Sequence, residues 1–391
     1  MASQRVIEFS RVTLSRLAAA VIFAVLAFAP VAAQAATAPR AYAGIVVDAK
    51  SGKVLYESDA DEYRYPASVT KVMTTFLAFE LIGEGKLKPG QVFTVSHDAF
   101  REWARKGSSM YLADGQRVTV DQLLHGITTV SANDGCVVLA MGAAGSVDKW
   151  VALMNAKARE IGMTDSHFGT PNGWMDDGRT YVSARDLFRL SRAMIARHPE
   201  LYHRYIGHPN FSFNGIEQAN HDPMIGKVLG ADGIKTGYTR QAGYNYLGSA
   251  MRDGRRLVMV LAGTDRPAVR ARAARAYMEW GFTHFATRKL FPAGKPIARA
   301  EVQDGAVTSV PLVAASPVVL SLEHGTNPDI SLTIRYKGPL KAPFRAGAEV
   351  AEMEISIAGQ PPFRTPLVTG ESVTRANWWQ RLRNGLTGLF A

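Results

Sequence analysis

The hydrophobic and polar positions change period several times along the chain. Residues 43–57, AGIVVDAKSGKVLYE, alternate on both sides of a KSG turn and predict a β-hairpin. In residues 66–76, PASVTKVMTTF, the apolar side chains recur at helical spacing, and the leading proline suits a helix start. Further helical patterns are found at 120–130 and 147–160. These segments predict a hairpin followed by several helices.

Strand patterns then return. Residues 242–251, AGYNYLGSAM, and residues 255–264, RRLVMVLAGT, predict two strands, and residues 272–285, RAARAYMEWGFTHF, predict a closing helix. Strands at both ends of this region enclose the helices between them. We therefore expect an α/β (α+β) domain at 36–290, in which helices cover one antiparallel sheet.

The pattern after this domain is different. FPAGKP at 291–296 is rich in helix and strand breakers and predicts a linker. Short alternating segments follow, separated by Gly, Pro and Asn, among them VTSVPLV, VVLSLEH, ISLTIRY and EVAEMEISIAG. Such segments are typical of a small all-β sandwich, which we place at 297–370.

Both ends of the chain carry signals for export and membrane contact. Three arginines precede the apolar run LAAAVIFAVLAFAPVAAQA, and Ala33-Gln34-Ala35 fits a signal-peptidase site, so residues 1–35 predict a signal peptide. An uncleaved anchor is the alternative. In residues 372–391, two tryptophans and several leucines share one helical face, with arginines towards the other. This pattern favours an amphipathic helix in the plane of a membrane; the alternative is a terminal helix docked on its own domain.

Composition limits the possible partners and cofactors. The chain has 391 residues, with 45 Lys+Arg against 34 Asp+Glu. A basic exported protein suggests anionic lipid or cell-wall polymer as neighbours, whereas the sequence has no basic block or stacking aromatic cluster that predicts nucleic-acid binding. The single cysteine, Cys136, lies in an apolar helical segment and is expected in the core. The nine histidines show no metal-ligand spacing, so no metal or other cofactor is predicted.

Candidate chemistry begins at Ser68 and Lys71, which lie one helical turn apart beside an apolar stripe. A serine hydroxyl needs a base to become a nucleophile, and a desolvated lysine can supply one near neutral pH. The S-x-x-K pattern alone is weak, because it recurs at 146–149. The ordered set of Ser68-x-x-Lys71, Ser131-Ala132-Asn133 and Lys235-Thr236-Gly237 is much more specific, and it predicts a serine acyl-transfer site.

At these residues the chain resembles the low-molecular-mass penicillin-binding proteins, specifically the D-alanyl-D-alanine carboxypeptidases. The blocks PASVTKVMT, GSSMYLADGQ, SANDG, HFGTPNGW and DGIKTGYTRQAGYN are similar to that family in order. LKAPFRAGAEVAEMEI and PLVTGESV resemble its β-rich second domain, and the tail resembles its membrane-anchoring helix. The resemblance implies a β-lactamase/transpeptidase-like catalytic domain in a periplasmic protein, attached to the outer face of the inner membrane.

The resemblance also implies roles for single residues. Ser68 would attack the carbonyl between the two terminal D-alanines of a peptidoglycan stem pentapeptide, with Lys71 as base, and Ser131 would relay a proton to the leaving group. Asn133 would contact the substrate amide, while Lys235 and Thr236 would bind the terminal carboxylate. The backbone N–H groups of Ser68 and Tyr238, which follows Gly237, would form the oxyanion hole. Penicillins would acylate the same serine.

One position departs from the family pattern. His221 stands where family members often carry an arginine that helps to bind the substrate carboxylate, and a neutral histidine would weaken that contact. The alternative is that His221 is a hydrogen-bonding core histidine with no function in binding.

Two rival functions share part of the pattern. A class A β-lactamase adds a glutamate that activates the deacylating water, and no Glu lies between Gly162 and Ser183. A non-catalytic peptidoglycan-binding morphology protein would use the cleft only to hold stem peptides. The intact set of hydroxyls and amines argues against this second rival.

Overall fold

The computed structural model describes residues 3–9, 42–358 and 362–380, which form two compact units. Within the described residues, the first unit holds 42–50 and 54–284, and the second holds the remainder. The helices are α1 Lys71–Gly83, α2 His97–Trp103, α3 Val120–Thr129, α4 Asn133–Ala144, α5 Val147–Glu160, α6 Ala184–Arg197, α7 Pro199–Tyr205 and α8 Pro267–His284. The strands are β1 Ser3–Phe9, β2 Gly44–Asp48, β3 Val54–Ser58, β4 Val92–Thr94, β5 Arg117–Thr119, β6 Asn210–Phe213, β7 Ile216–Ala219, β8 Ala231–Thr239, β9 Gly243–Arg252, β10 Arg255–Thr264, β11 Phe285–Phe291, β12 Pro296–Gln303, β13 Ser309–Val313, β14 Val318–Glu323, β15 Ile330–Gly338, β16 Leu340–Lys341, β17 Glu349–Ile357 and β18 Phe363–Thr369.

The first unit is built on a five-stranded antiparallel sheet in the order β3-β2-β10-β9-β8. Strand β10 shows why helices cover both faces of this sheet. Val258 and Val260 belong to the helical core that includes α1, α3 and α4, whereas Leu257, Met259 and Leu261 pack with α8 on the opposite face. Successive side chains of a strand point to opposite faces, so a strand that is apolar at every position is buried between two layers.

Most of the elements predicted for this unit are confirmed. The predicted hairpin is β2 and β3, and the predicted helices at 120–130 and 147–160 are α3 and α5. The helix expected from Pro66 differs in its first turn. Residues Ala67–Thr70 form a 3₁₀ turn, and the α-helix begins only at Lys71.

The second unit is all-β, as predicted. Its main sheet has the order β1-β15-β17-β18-β13-β12-β16, and β11 pairs with β14 in a separate ribbon. Alternate residues of β15 are buried, and they share one apolar core with Leu320 and Leu322 of the ribbon. The unit begins at Phe285 rather than after 290, because β11 pairs with β14 and not with the first sheet. The predicted linker at 291–296 therefore connects two strands of the same unit.

The two ends of the chain are described only in part. Residues 3–9, inside the predicted signal peptide, form β1 and pair antiparallel with β15; residues 10–35 lie outside the described residues. At the other end the backbone is helical at 378–380, where the exposed indoles of Trp378 and Trp379 stack with centroids 3.8 Å apart. The rest of the predicted membrane helix, 381–391, lies outside the described residues.

In the described ranges no single helix is long and apolar enough to cross a bilayer; the bent pair α4 and α5 reaches the necessary length and apolar composition only when its two helices are taken together.

Candidate active site

Ser68 and Lys71 are brought together by the 3₁₀ turn and the start of α1. Lys71 Nζ lies 2.8 Å from Ser68 Oγ and donates a second hydrogen bond, of 2.7 Å, to the backbone carbonyl of Asn172. The side chain of Lys71 is completely buried. The turn thus places a hydroxyl against a primary amine that is shielded from water.

Burial also changes the acid–base behaviour of this amine. It lowers the pKa of Lys71 to about 8, although nearby Cys136 and Asp134 act in the opposite direction. Burial raises the pKa of the Cys136 thiol to about 12, and this cysteine is a core residue, as expected. At neutral pH an appreciable fraction of Lys71 is therefore unprotonated and able to accept the proton of Ser68.

The second motif lies where α4 begins. Ser131 is buried with a left-handed φ of 65°, and its Oγ has no hydrogen-bond partner among the described residues. Asn133 Nδ2 donates to the carbonyl of Lys106 at 2.8 Å, and the Asn133 backbone N–H donates to the carbonyl of Ser108. The motif thus supplies a buried hydroxyl with no partner among the described residues and a carboxamide fixed by a neighbouring loop.

Asp134 attaches that loop to α4. Its carboxylate accepts hydrogen bonds from Ser109 Oγ at 2.6 Å and from the backbone N–H groups of Met110, Leu112 and Gly135. Because Asp134 is buried, these bonds hold residues 109–112 against the start of α4.

The third motif lies on β8, at the edge of the first sheet. Burial and the charge of Lys71 lower the pKa of Lys235 to about 7, whereas Cys136 and Asp222 oppose this shift. A Cβ at Gly237 would lie 2.5 Å from the carbonyl oxygen of Pro66. Glycine therefore lets β8 approach the turn that carries the nucleophile.

A cavity of about 870 Å³ opens in front of these elements. Ser68, Asn133 and Tyr238 line it, together with Trp174 and Arg240. Tyr238 is 52% exposed and stacks on Tyr244, with centroids 4.2 Å apart. Ser68 of the first motif, Asn133 of the second and Tyr238, which follows the third, therefore line the same cavity.

His221 is an exposed residue, so its interpretation as a core histidine is wrong. Although the residue as a whole is exposed, the surrounding protein removes part of the hydration of the imidazole, which lowers its pKa, and the charges of Lys235 and Arg270 lower it further. His221 therefore lies near the third motif in its neutral form at pH 7.

Two further residues of the site were not predicted from the sequence. Arg270 on α8 is buried, with Nε unpartnered among the described residues, and its charge acts on both Lys235 and His221. The segment RPAVRARAAR contains four arginines, and no sequence pattern distinguishes Arg270 from the other three. Asn172 holds Lys71 through its backbone carbonyl, which no side-chain pattern reveals. No group of three or more potential metal ligands is present in the part of the chain that the structure describes.

Comparison with known proteins finds two family profiles along the chain. Residues 30–266 match the profile of the D-alanyl-D-alanine carboxypeptidase family, and residues 285–375 match that of the penicillin-binding protein 5 C-terminal domain. D-alanyl-D-alanine carboxypeptidase DacA of Escherichia coli strain K12 is 35% identical over 346 residues, covering 86% of this chain and 85% of that protein. DacC of the same strain is 32% identical over 368 residues, covering 92% of this chain and 91% of that protein.

Solved structures show the same relationship. Penicillin-binding protein 5 from Haemophilus influenzae superposes with a TM-score of 0.76 at 30% identity, covering 86% of this chain and 98% of that one. Penicillin-binding protein D2 from Listeria monocytogenes, in its ampicillin-bound form, superposes with a TM-score of 0.56 at 28% identity, covering 62% of this chain and 97% of that one. The first unit carries the three motifs of a serine acyl-transfer site, and the second matches the accessory domain of the same proteins. The chain therefore belongs to the family of serine-type D-alanyl-D-alanine carboxypeptidases.

Proposed function

We propose that this carboxypeptidase removes the terminal D-alanine from peptidoglycan stem pentapeptides in the periplasm through an acyl-enzyme on Ser68. The observation that carries the proposal is the 2.8 Å contact between Ser68 Oγ and the fully buried amine of Lys71. A buried amine of lowered pKa is a base that works near neutral pH, which an exposed lysine is not.

Acylation forms the bond between Ser68 Oγ and the penultimate D-alanyl carbonyl. Lys71 takes the hydroxyl proton, and the backbone N–H groups of Ser68 and Tyr238 stabilise the oxyanion. The peptide C–N bond then breaks, and the free Oγ of Ser131 passes a proton to the leaving D-alanine. Water subsequently hydrolyses the ester. A penicillin follows the same first step, with its lactam C–N bond taking the place of the peptide bond.

The buried cations account for removal of a single C-terminal residue. Lys235, Thr236 and the unpredicted Arg270 offer charge and hydrogen bonds to a terminal carboxylate beside the nucleophile. A carboxylate bound there positions the adjacent peptide bond for attack. In this scheme Arg270 and neutral His221 share the role of the family arginine that is missing at position 221.

Export and membrane attachment rest on the sequence patterns at the two ends. The leader pattern of 1–35 favours secretion, and the exposed, stacked tryptophans at 378–379 favour contact with a membrane surface. We expect deletion of 372–391 to release the mature protein from the membrane fraction. Retention of the shortened protein on the membrane would refute this attachment.

One pair of assays tests the enzymatic proposal. Wild type should release D-alanine from a D-Ala-D-Ala-terminated peptide and should be labelled covalently by a fluorescent penicillin, whereas Ser68→Ala should do neither. Penicillin labelling without D-alanine release would favour a binding protein that does not process stem peptides. Rapid penicillin turnover would favour a β-lactamase.

A further inference from the structure

Lys106, in the loop that follows α2, lies between two indole rings. Its Nζ is 4.4 Å from the ring centroid of Trp103 and 5.6 Å from that of Trp174. The two rings are nearly perpendicular, at 89°, with centroids 6.1 Å apart. Trp103 is buried and Trp174 lines the catalytic cavity, so the ammonium group links the core to the cavity wall.

The backbone of the same lysine holds a residue of the second motif. Asn133 Nδ2 donates to the Lys106 carbonyl at 2.8 Å, and the Lys106 N–H donates to the Trp103 carbonyl at 3.1 Å. A carboxamide whose nitrogen is held by a fixed acceptor presents its oxygen in one direction. The orientation of the Asn133 side chain therefore depends on where the Lys106 peptide lies.

Gly107 brings the backbone that follows Lys106 into close contact with both the Asn133 carboxamide and the Trp174 ring. It has a φ of +72°, and a Cβ at this position would lie 2.8 Å from both Asn133 Nδ2 and Trp174 Cζ3. The backbone after Lys106 thus passes between the Asn133 carboxamide and the Trp174 ring, with no space for a side chain at position 107. A shift of the ring or the loop would be transmitted directly to the carboxamide.

We propose that Lys106 is a positioning residue for acylation: its side chain, held between Trp103 and Trp174, fixes the backbone carbonyl that orients Asn133 towards the substrate amide. This inference rests on the proposed function, because Asn133 matters only if substrate binds in the cavity. The ion pair with Glu102, at 3.8 Å, is a second contact of the Lys106 ammonium group. The Lys106 side chain is 35% exposed, so water weakens this ion pair.

The test uses variants that separate the cation from the side-chain stem. Lys106→Met keeps an unbranched stem but removes the charge; it should slow acylation by a fluorescent penicillin about threefold to tenfold. It should also lower kcat/KM for D-alanine release by a similar factor, without changing the thermal midpoint. Lys106→Arg retains a cation that stacks on indoles and should restore most of the rate. Glu102→Gln is the matched control and should behave like wild type.

Coupling to Asn133 distinguishes positioning from a general structural role. In an Asn133→Ala background, Lys106→Met should cause little further loss, because the group that it positions is absent. Trp103→Phe, which keeps a ring but weakens the cation–π contact, provides a second route if Lys106→Met folds poorly, and its loss should disappear in the same background. The inference would be overturned if the losses caused by Lys106→Met and Asn133→Ala were fully additive. It would also be overturned if Lys106→Met and Trp103→Phe were both acylated at the wild-type rate. A wild-type enzyme that releases no D-alanine would instead refute the proposed function.

Discussion

The two buried lysines predict an unusual dependence of acylation on pH. Lys71 must be neutral to accept the Ser68 proton, whereas Lys235 must be charged to hold the substrate carboxylate. Their pKa values are about 8 and about 7, so the required base has the higher value. The active form of the free enzyme is therefore a minority species, with its maximum between the two values.

The size of the effect follows from these values. If the two amines titrated independently, each requirement would be met near pH 7.5 in about a quarter of the molecules and both in about 6%; because a neutral Lys71 no longer lowers the pKa of Lys235, coupling makes the active fraction larger than this. Near pH 9 Lys71 is mostly neutral while Lys235 has lost most of its charge, so kcat/KM should fall, by up to about sixfold in the limit of independent titration. Lys235→Arg remains charged across this range, and its kcat/KM should instead rise about fourfold between the same two pH values.

The assay is the second-order rate constant for acylation by a fluorescent penicillin between pH 6 and 9.5. A methyl ester of the same penicillin, which lacks the carboxylate, serves as the control and should show only the rising limb in the wild type. Thermal unfolding at each pH confirms that the enzyme stays folded. A wild-type profile with no falling limb, matched by that of Lys235→Arg, would refute the assignment of the charged form of Lys235 to carboxylate binding.

Three other changes have consequences that the structure defines. Asp134→Ala removes the acceptor of three buried donors in the 109–112 loop, so urea unfolding should show a loss of about 3 to 5 kcal/mol; an undiminished stability would contradict that role. Gly237→Ala places a Cβ 2.5 Å from the Pro66 carbonyl oxygen, which displaces β8 from the nucleophile, so penicillin acylation should fall at least about tenfold while the second unit stays folded. Because the buried lysines bind fewer protons in the folded than in the unfolded chain above about pH 7, the free energy of unfolding should rise from pH 7 to 9.5, and replacement of both lysines by methionine should abolish that rise.

Helices and strands that are specified by their own residues were predicted correctly from the sequence pattern. Helix α5 spans Val147–Glu160, as expected, because Ser146 caps its first turn by accepting from the Lys149 N–H and one face carries its apolar residues. Strands β9 and β10 were also predicted, and consecutive residues in each are buried because helices cover both faces of the sheet. The three motifs could be found because their residue types and order are restrictive, and not because any of them is distinctive alone.

Features that depend on long-range packing could not be predicted. The 3₁₀ turn at Ser68 and the role of the Asn172 carbonyl arise where distant backbone segments meet. The burial of Arg270, one of three arginines in α8, is decided by which face of the helix meets the sheet. The boundary at Phe285 depends on pairing with a strand more than thirty residues away, whereas the linker composition at 291–296 pointed further along the chain.

The backbone and the charges of the site depart from low-energy local structure at several positions. Ala67, directly before the nucleophile, has a φ of 50°, and Ser131 has a φ of 65°, a region that side chains with a Cβ seldom occupy. Two ammonium groups are buried close enough for the charge of Lys71 to lower the pKa of Lys235. Each feature costs stability, and a fold without disulfides must offset that cost through its apolar core. Strained backbone and buried charge persist where they serve catalysis, and their presence in all three motifs favours an acyl-transfer site over a cleft that only binds peptide.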